Sequence, residues 1–235
     1  MTGCCSAATI RSWARGGPCH PCPTEPWPIA GRRTPHGCWA VANRETSWRL
    51  FVALELPPPV LEALASVQAA LKAQGLEGLR WVRPQGIHLT LKFLGETPTS
   101  RLDELMRALE EATAGTGPLR LALSGLGTFG GRRGPRVLWV GLEGDLQRLA
   151  GLQRRVEEAM ARLRFPREQR PFSPHLTLAR VPEQDSARVA ASLERATREV
   201  KVPPITMSLS EVSLMRSHLQ PSGAIYERVA SFPLQ

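Results

Sequence analysis

The chain has 235 residues, enough for one large or two small cores, and 42% of them are hydrophobic, so a globular fold is expected. Thirty Lys and Arg against 21 Asp and Glu give a formal net charge of +9, which suits a polyanionic partner, although an Arg-favouring codon bias would leave the same excess. No run approaches the roughly 18 apolar residues of a membrane helix, and the N-terminus lacks the apolar stretch of a secretory signal, so a cytoplasmic protein that touches no membrane is expected.

Residues 1–47 carry Pro18, Pro21, Pro23, Pro26, Pro28 and Pro35 and show neither a helical nor a strand period. Such a segment cannot bury enough apolar surface to offset its ordering entropy, so it reads as a disordered extension, or as a start placed too far upstream. All five cysteines lie within it. Cys19-His20-Pro21-Cys22 has the spacing of half a zinc site, but Cys38 and His36 do not supply the other half, and no metal or cofactor is expected. The body, residues 48–235, therefore has neither disulfides nor a thiol nucleophile, and keeps a charge of +6.

Within the body, Arg49 to Leu56 is a short apolar run suited to a buried strand. Pro57 to Pro59 end it and start a helix, in which Val60, Leu64, Val67 and Leu71 recur at helical spacing until Gly75. Ile87 to Leu94 is the next strand. A helix follows Ser100, with Leu102, Leu105, Met106 and Leu109 on one face and Ser100 and Asp103 placed like a capping box. Leu119 to Phe129 closes this half as a strand. The stretch Gly130-Gly131-Arg132-Arg133-Gly134 reads as a flexible basic join.

The second half repeats the first. Leu50-Phe-Val-Ala-Leu-Glu55 matches Leu138-Trp-Val-Gly-Leu-Glu143 at a shift of 88. His88-Leu-Thr-Leu91 matches His175-Leu-Thr-Leu178 at 87, and Leu121-Ala-Leu-Ser-Gly-Leu matches Met207-Ser-Leu-Ser-Glu-Val at 86. Leu149, Leu152, Val156 and Leu163 echo the first helix; Val189, Leu193 and Ala196 echo the second. Three near-equal shifts in one order predict an α+β fold of two similar lobes, about residues 48–130 and 135–235, around a central cleft.

Side chains alternate across a strand, so His88, Thr90 and Lys92 should share one face, with Leu89, Leu91 and Phe93 on the other. His175 and Thr177 should likewise face away from Leu176 and Leu178. If a pseudo-twofold axis relates the lobes, the two histidines approach each other across the cleft. Two imidazoles on opposite sides of a phosphorus can act as base and acid near neutral pH, and the threonine hydroxyls can donate to the phosphate oxygens. A lone strand histidine is usually structural, but two at matching positions of a repeat favour catalysis. His20 and His36 lie in the extension, and His218 precedes a turn-like Pro221-Ser222-Gly223; none is given a role.

At these residues the chain resembles the two-histidine phosphoesterase superfamily, and within it the RNA 2′,3′-cyclic phosphodiesterases once called 2′-5′ RNA ligases. Both His-X-Thr-X motifs are intact, in the contexts WVRPQGIHLTLKFLGE from Trp81 and PFSPHLTLAR from Pro171. The similarity spans about residues 48–235. It implies a bilobal duplicated fold, two antiparallel-sheet lobes with outer helices, and metal-independent hydrolysis of an RNA 2′,3′-cyclic phosphate end, such as one from tRNA, to a 2′-phosphate. It implies His88 as proton donor to the leaving 3′-oxygen, His175 as proton acceptor from water, and Thr90 and Thr177 as phosphate ligands. A monomer is expected.

Other residues could add to this site. Lys92 could add charge beside His88. Arg132, Arg133 and Arg136 could guide RNA phosphates, or be ordinary solvated loop residues. Arg180 should lie opposite His175 unless a bulge intervenes, which makes it a rim contact. Phe51 and Trp139, at equivalent repeat positions, suit core packing better than base stacking. The alternatives to this function are a phosphodiesterase of a small cyclic nucleotide, and an RNA-binding module whose histidines merely hold phosphate.

Overall fold

The computed structural model describes residues 46–76, 78–220 and 223–235. The cysteines, His20, His36 and nearly all of the expected extension lie outside the described residues.

Strand β1 (Ser47–Glu55) leads into helix α1 (Pro58–Ala73). Its two leading prolines need no helical N–H partner there. Val60, Leu64, Val67 and Leu71 form its buried stripe, each contributing roughly 2 kcal/mol of apolar burial. Gly75 just beyond it takes a left-handed φ of +81°, which ends the helix without a Cβ clash. Strands β2 (Arg80–Trp81) and β3 (His88–Pro98) follow, then α2 (Leu102–Thr113). The Arg101 side chain, at the N-cap of α2, makes no capping bond, and a 3-10 turn over Thr99–Arg101 leads into the helix. Asp103 and Glu104 in its first turn suit the positive end of the helix dipole.

The second half comprises β4 (Leu119–Gly131), β5 (Gly134–Gly144), α3 (Leu146–Arg162), β6 (Leu176–Arg180), α4 (Ser186–Glu199), β7 (Thr206–Leu209), β8 (Glu211–Gln220) and β9 (Gly223–Pro233). The helical stripes Leu149, Leu152, Val156 and Val189, Leu193, Ala196 are buried as their spacing predicts. Leu163 lies just past the end of α3, as its C-cap. No helix among the described residues is long and apolar enough to cross a membrane.

The expected flexible join at 130–134 is instead a tight hairpin. Gly131 pairs with Gly134, leaving only Arg132 and Arg133 at the turn. Gly134 has φ +104°, and a Cβ there would lie 2.9 Å from Ser186 Oγ, so glycine permits both the turn and its close docking on the start of α4.

The sheet order is β7-β4-β5-β6-β3-β1-β8-β9, with β2 also on β6. Every pairing is antiparallel. Two halves, β7-β4-β5-β6 with β2, and β3-β1-β8-β9, thus meet where β6 and β3 touch, through the single pair Leu89 and Leu176 among the described residues. These halves are not the two sequence repeats. The last strand of the first repeat, β4, pairs with β5 and β7, while β8 pairs with β1. The first repeat gives its last strand, β4, to the half holding β5, β6 and β7, and the second gives β8 and β9 to the half holding β1 and β3. Apolar patterning marks a strand but does not name its neighbour, so the exchange leaves no sign in the sequence.

All four helices pack on one face of this sheet, against Leu50, Val52, Leu54, Leu89, Leu138, Val140 and Leu176 in one continuous core. A smaller apolar cluster of Phe51, Ala53 and Met215, with Tyr226 against it, lies apart from that core.

Candidate active site

Leu89 and Leu176 are fully buried and face each other across the β3–β6 junction. Their neighbours His88, Thr90, His175 and Thr177 are half-buried and point the other way. Continuing the antiparallel register one residue to each side sets His88 beside Thr177 and Thr90 beside His175. The two histidines then occupy diagonal positions, about 7–8 Å apart in a regular ladder. One phosphate group spans such a gap.

Both imidazoles are held in the same way. His88 Nδ1 lies 2.8 Å from the Gly86 carbonyl, and His175 Nδ1 lies 2.8 Å from the Ser173 carbonyl. A carbonyl only accepts, so each Nδ1 carries a hydrogen and each neutral ring keeps its lone pair on Nε2. Each ring also meets an aromatic edge at 90°: Tyr226 at 5.0 Å from His88 and Phe129 at 4.8 Å from His175. Phe51 stacks on His88 at 4.7 Å. Trp139, its repeat counterpart, lies 6.5 Å from His175. Both form the wall that seats the histidines, in keeping with a packing role.

Burial is the main force on His88 and pushes its pKa down to about 4. Arg180 and His175 push the same way, against the Gly86 carbonyl and Glu55, which favour the charged form. His175 and Arg180 therefore each lie within electrostatic reach of His88. Glu55 pairs with His88 across the ladder. Its burial favours the neutral acid, but Arg228 Nε at 2.7 Å and Ser213 Oγ at 2.5 Å hold the carboxyl below its usual range.

Two expectations about neighbouring residues are corrected by β-bulges. In β3 the partner of Val52 is Lys92 and that of Ala53 is Thr90, so Leu91 is an extra residue. Leu91 and Lys92 are both buried, and Phe93 is 64% exposed. Lys92 thus leaves the His88 face. Its Nζ binds Glu157 Oε1 at 2.7 Å and the Pro166 carbonyl at 2.5 Å, so it is not on the cleft side. In β6 Trp139 pairs with Thr177 and Leu138 with Ala179, so Leu178 is the extra residue. Leu178 and Ala179 are both buried and Arg180 is exposed. The bulge carries Arg180 to the His175 side, where its charge reaches His88.

Arg132 and Arg133 occupy the β4–β5 turn, about 10 Å along the strand from Phe129, whose ring lies against His175. Arg133 and Arg136 bind Glu183 at 3.0 and 3.2 Å, and these bonds lower the Glu183 pKa. His218 lies in β8 rather than in a turn, with Nε2 2.8 Å from Glu227 Oε2. A surface pocket of about 380 Å³ between α1 and Trp81–Pro84 is lined by neither histidine nor either threonine. Sequence reasoning missed Tyr226, Phe129 and Glu55, which come from strands with no motif of their own. The lone tyrosine and an acidic residue in an apolar strand were the available signals.

A sequence model of the 2′-5′ RNA ligase superfamily matches residues 51–221. The chain is 31% identical over 186 residues to an RNA 2′,3′-cyclic phosphodiesterase of Methanothermobacter thermautotrophicus, covering 79% of this chain and 98% of that protein. It is 33% identical over 184 residues to one of Geobacillus stearothermophilus, where it covers 78% of this chain but only 56% of the relative's length. Among solved structures, TT0787 of Thermus thermophilus matches with a TM-score of 0.61 and 31% identity, over 79% of this chain and 97% of that one. Escherichia coli LigT complexed with 3′-AMP matches with a TM-score of 0.64 and 26% identity, over 81% and 99%.

Proposed function

The chain belongs to the 2′-5′ RNA ligase superfamily, and on that premise we propose that it hydrolyses RNA 2′,3′-cyclic phosphate ends to 2′-phosphomonoesters by paired histidine acid–base catalysis. The observation that carries this reading is the matched pair of imidazoles on one sheet face, each with Nδ1 on a backbone carbonyl and Nε2 left for chemistry.

In the proposed step, water attacks phosphorus and its proton passes to His175 Nε2. The bond from phosphorus to the 3′-oxygen breaks, and His88 Nε2 gives that oxygen its proton. Thr90 and Thr177 donate to the non-bridging oxygens, and Arg180 balances their charge. His88 is neutral near pH 7 in the free protein, because burial and Arg180 disfavour its charged form. A bound phosphate anion opposes Arg180 and favours the protonated ring, so substrate itself loads the donor.

That low value also favours a second reading, in which the roles are exchanged and His88 takes the proton from water. Leaving-group chemistry separates the two. A p-nitrophenyl phosphodiester departs without an acid, so the variant lacking the donor recovers most on that substrate. Recovery of His88→Ala supports the first assignment, and recovery of His175→Ala supports the second. If neither wild type nor variants turn over a cyclic-phosphate-ended RNA that the protein binds, the molecule is a binding module and hydrolysis is refuted. Preference for a mononucleotide 2′,3′-cyclic phosphate over an RNA oligomer would shift the substrate class.

A further inference from the structure

Each motif strand carries an extra residue directly after its His-X-Thr, Leu91 in β3 and Leu178 in β6, at equivalent places of the repeat, and β3 has a second one farther on at Leu94. A bulge inside a sheet leaves backbone groups out of the ladder, and when buried they need partners from elsewhere. Here two buried glutamines supply partners, at the Leu178 carbonyl beside a backbone N–H, that of Val82. Gln68 Nε2, on α1, donates to the Leu178 carbonyl at 3.0 Å and to the Val82 carbonyl at 2.8 Å. Gln153 Nε2, on α3, reaches the Leu91 carbonyl at 3.5 Å. Gln68 and Gln153 are only 3% and 9% exposed.

The two glutamines hold the same place in their helices. Val67-Gln68 and Leu152-Gln153 are followed three residues later by buried Leu71 and Val156. Each reaches from a helix of one repeat to the motif strand of the other. An amide in an apolar stripe costs free energy unless both of its hydrogens are used. Gln68 uses both, and the Leu178 carbonyl also accepts from Val82 N at 2.9 Å. Gln68 thus clamps the segment before the 3-10 turn Pro84–Gly86 to the bulge of β6.

The consequence for the site lies two residues on. Without the bulge, alternation would turn Arg180 to the core side; with it, Arg180 is exposed beside the histidines. We propose that Gln68 is a positioning residue that aims Arg180 at the substrate phosphate by holding the Leu178 bulge. Gln68 touches neither substrate nor reacting atoms. The proposal rests on the phosphate role given above to Arg180.

The experiment compares wild type, Gln68→Met, Arg180→Ala and the double variant. Two quantities are read: the titration of the His88 imidazole by NMR without substrate, and kcat/KM on a cyclic-phosphate-ended RNA. Removing the Arg180 charge must raise the His88 titration midpoint. Gln68→Met is expected to raise it too and to lower kcat/KM on the order of tenfold to a hundredfold. The double variant should then match Arg180→Ala in both readouts. A His88 midpoint unchanged by Gln68→Met, or a full additional loss on top of Arg180→Ala, overturns the proposal. If Gln68→Met does not fold, Gln68→Asn, whose amide falls one methylene short, is read in the same way. Since the titration is taken without substrate, a protein that fails to hydrolyse RNA still decides the role of Gln68.

Discussion

Leu89 and Leu176 form the single backbone pairing by which the two halves of the sheet touch. Both are fully buried, and each lies between a histidine and a threonine. The packing that seals the junction on its core side therefore spaces the four polar side chains on its other side. The proposed site and the core share one pair of residues.

Replacing His88 or His175 by alanine should each cost on the order of 10²–10⁴ in kcat while the protein stays folded. His175→Ala should lower the melting temperature a little, since that ring meets Phe129 edge-on and no ring among the described residues stacks on it. His88→Ala should lower it more, because the ring fills space against Phe51 and Tyr226. Steady-state kinetics with thermal melts checks both. Near-normal turnover in either variant would remove that histidine from the mechanism.

Stability should depend on pH through His88. Its folded pKa of about 4 lies below the ordinary 6.5, so between these values the unfolded chain binds the extra proton. Stability then rises with pH across that window. The His88 contribution is complete above about 6.5 and is lost as pH falls to about 4. Urea denaturation at several pH values should show this slope in wild type and a shallower one in His88→Gln. Equal slopes would mean that the ring is not buried in its neutral form.

Lys92→Met should destabilise the protein by about 3 kcal/mol, because it leaves the largely buried Glu157 carboxylate with only the Glu168 N–H as donor. That carboxylate already has one buried oxygen, Oε2, with no hydrogen-bond partner. Adding Glu157→Leu should recover most of the loss. The salt dependence of RNA binding should be unchanged, since Lys92 faces the helices and not the cleft. Equilibrium unfolding and binding titrations at several salt concentrations test the two halves separately. A reduced salt slope would return Lys92 to the RNA surface.

Arg132→Ala should weaken binding of an RNA oligomer and flatten its salt dependence by about one unit of slope, while leaving a mononucleotide 2′,3′-cyclic phosphate unaffected. Arg133→Ala should do less, as Glu183 already holds that guanidinium. Equal losses on both substrates would place Arg132 at the phosphate itself and not along an RNA strand.

Gly127→Ala should lower activity through Trp139. A Cβ at Gly127 would fall 2.3 Å from the Trp139 ring, so the indole must move, and it lies against Phe129 and near His175. Reduced kcat with altered tryptophan fluorescence is expected. Unaltered kinetics would show that the wall behind His175 tolerates displacement.

The amino-acid sequence by itself determined most of the helices and strands, the duplication and the pair of histidine motifs. Those features are local or periodic: apolar spacing encodes each helix and strand, and His88-Leu-Thr-Leu91 and His175-Leu-Thr-Leu178 repeat within one chain. Only the tertiary structure decided which strands neighbour one another, because β4 and β8 cross to the opposite repeat and apolar alternation carries no address. It also decided the faces of Lys92 and Arg180. One extra residue at Leu91 and another at Leu178 invert the alternation, and those bulges are held from outside by glutamines more than 60 residues away in sequence. A period of two can be read along a strand, but the place where it breaks is set by what packs against it.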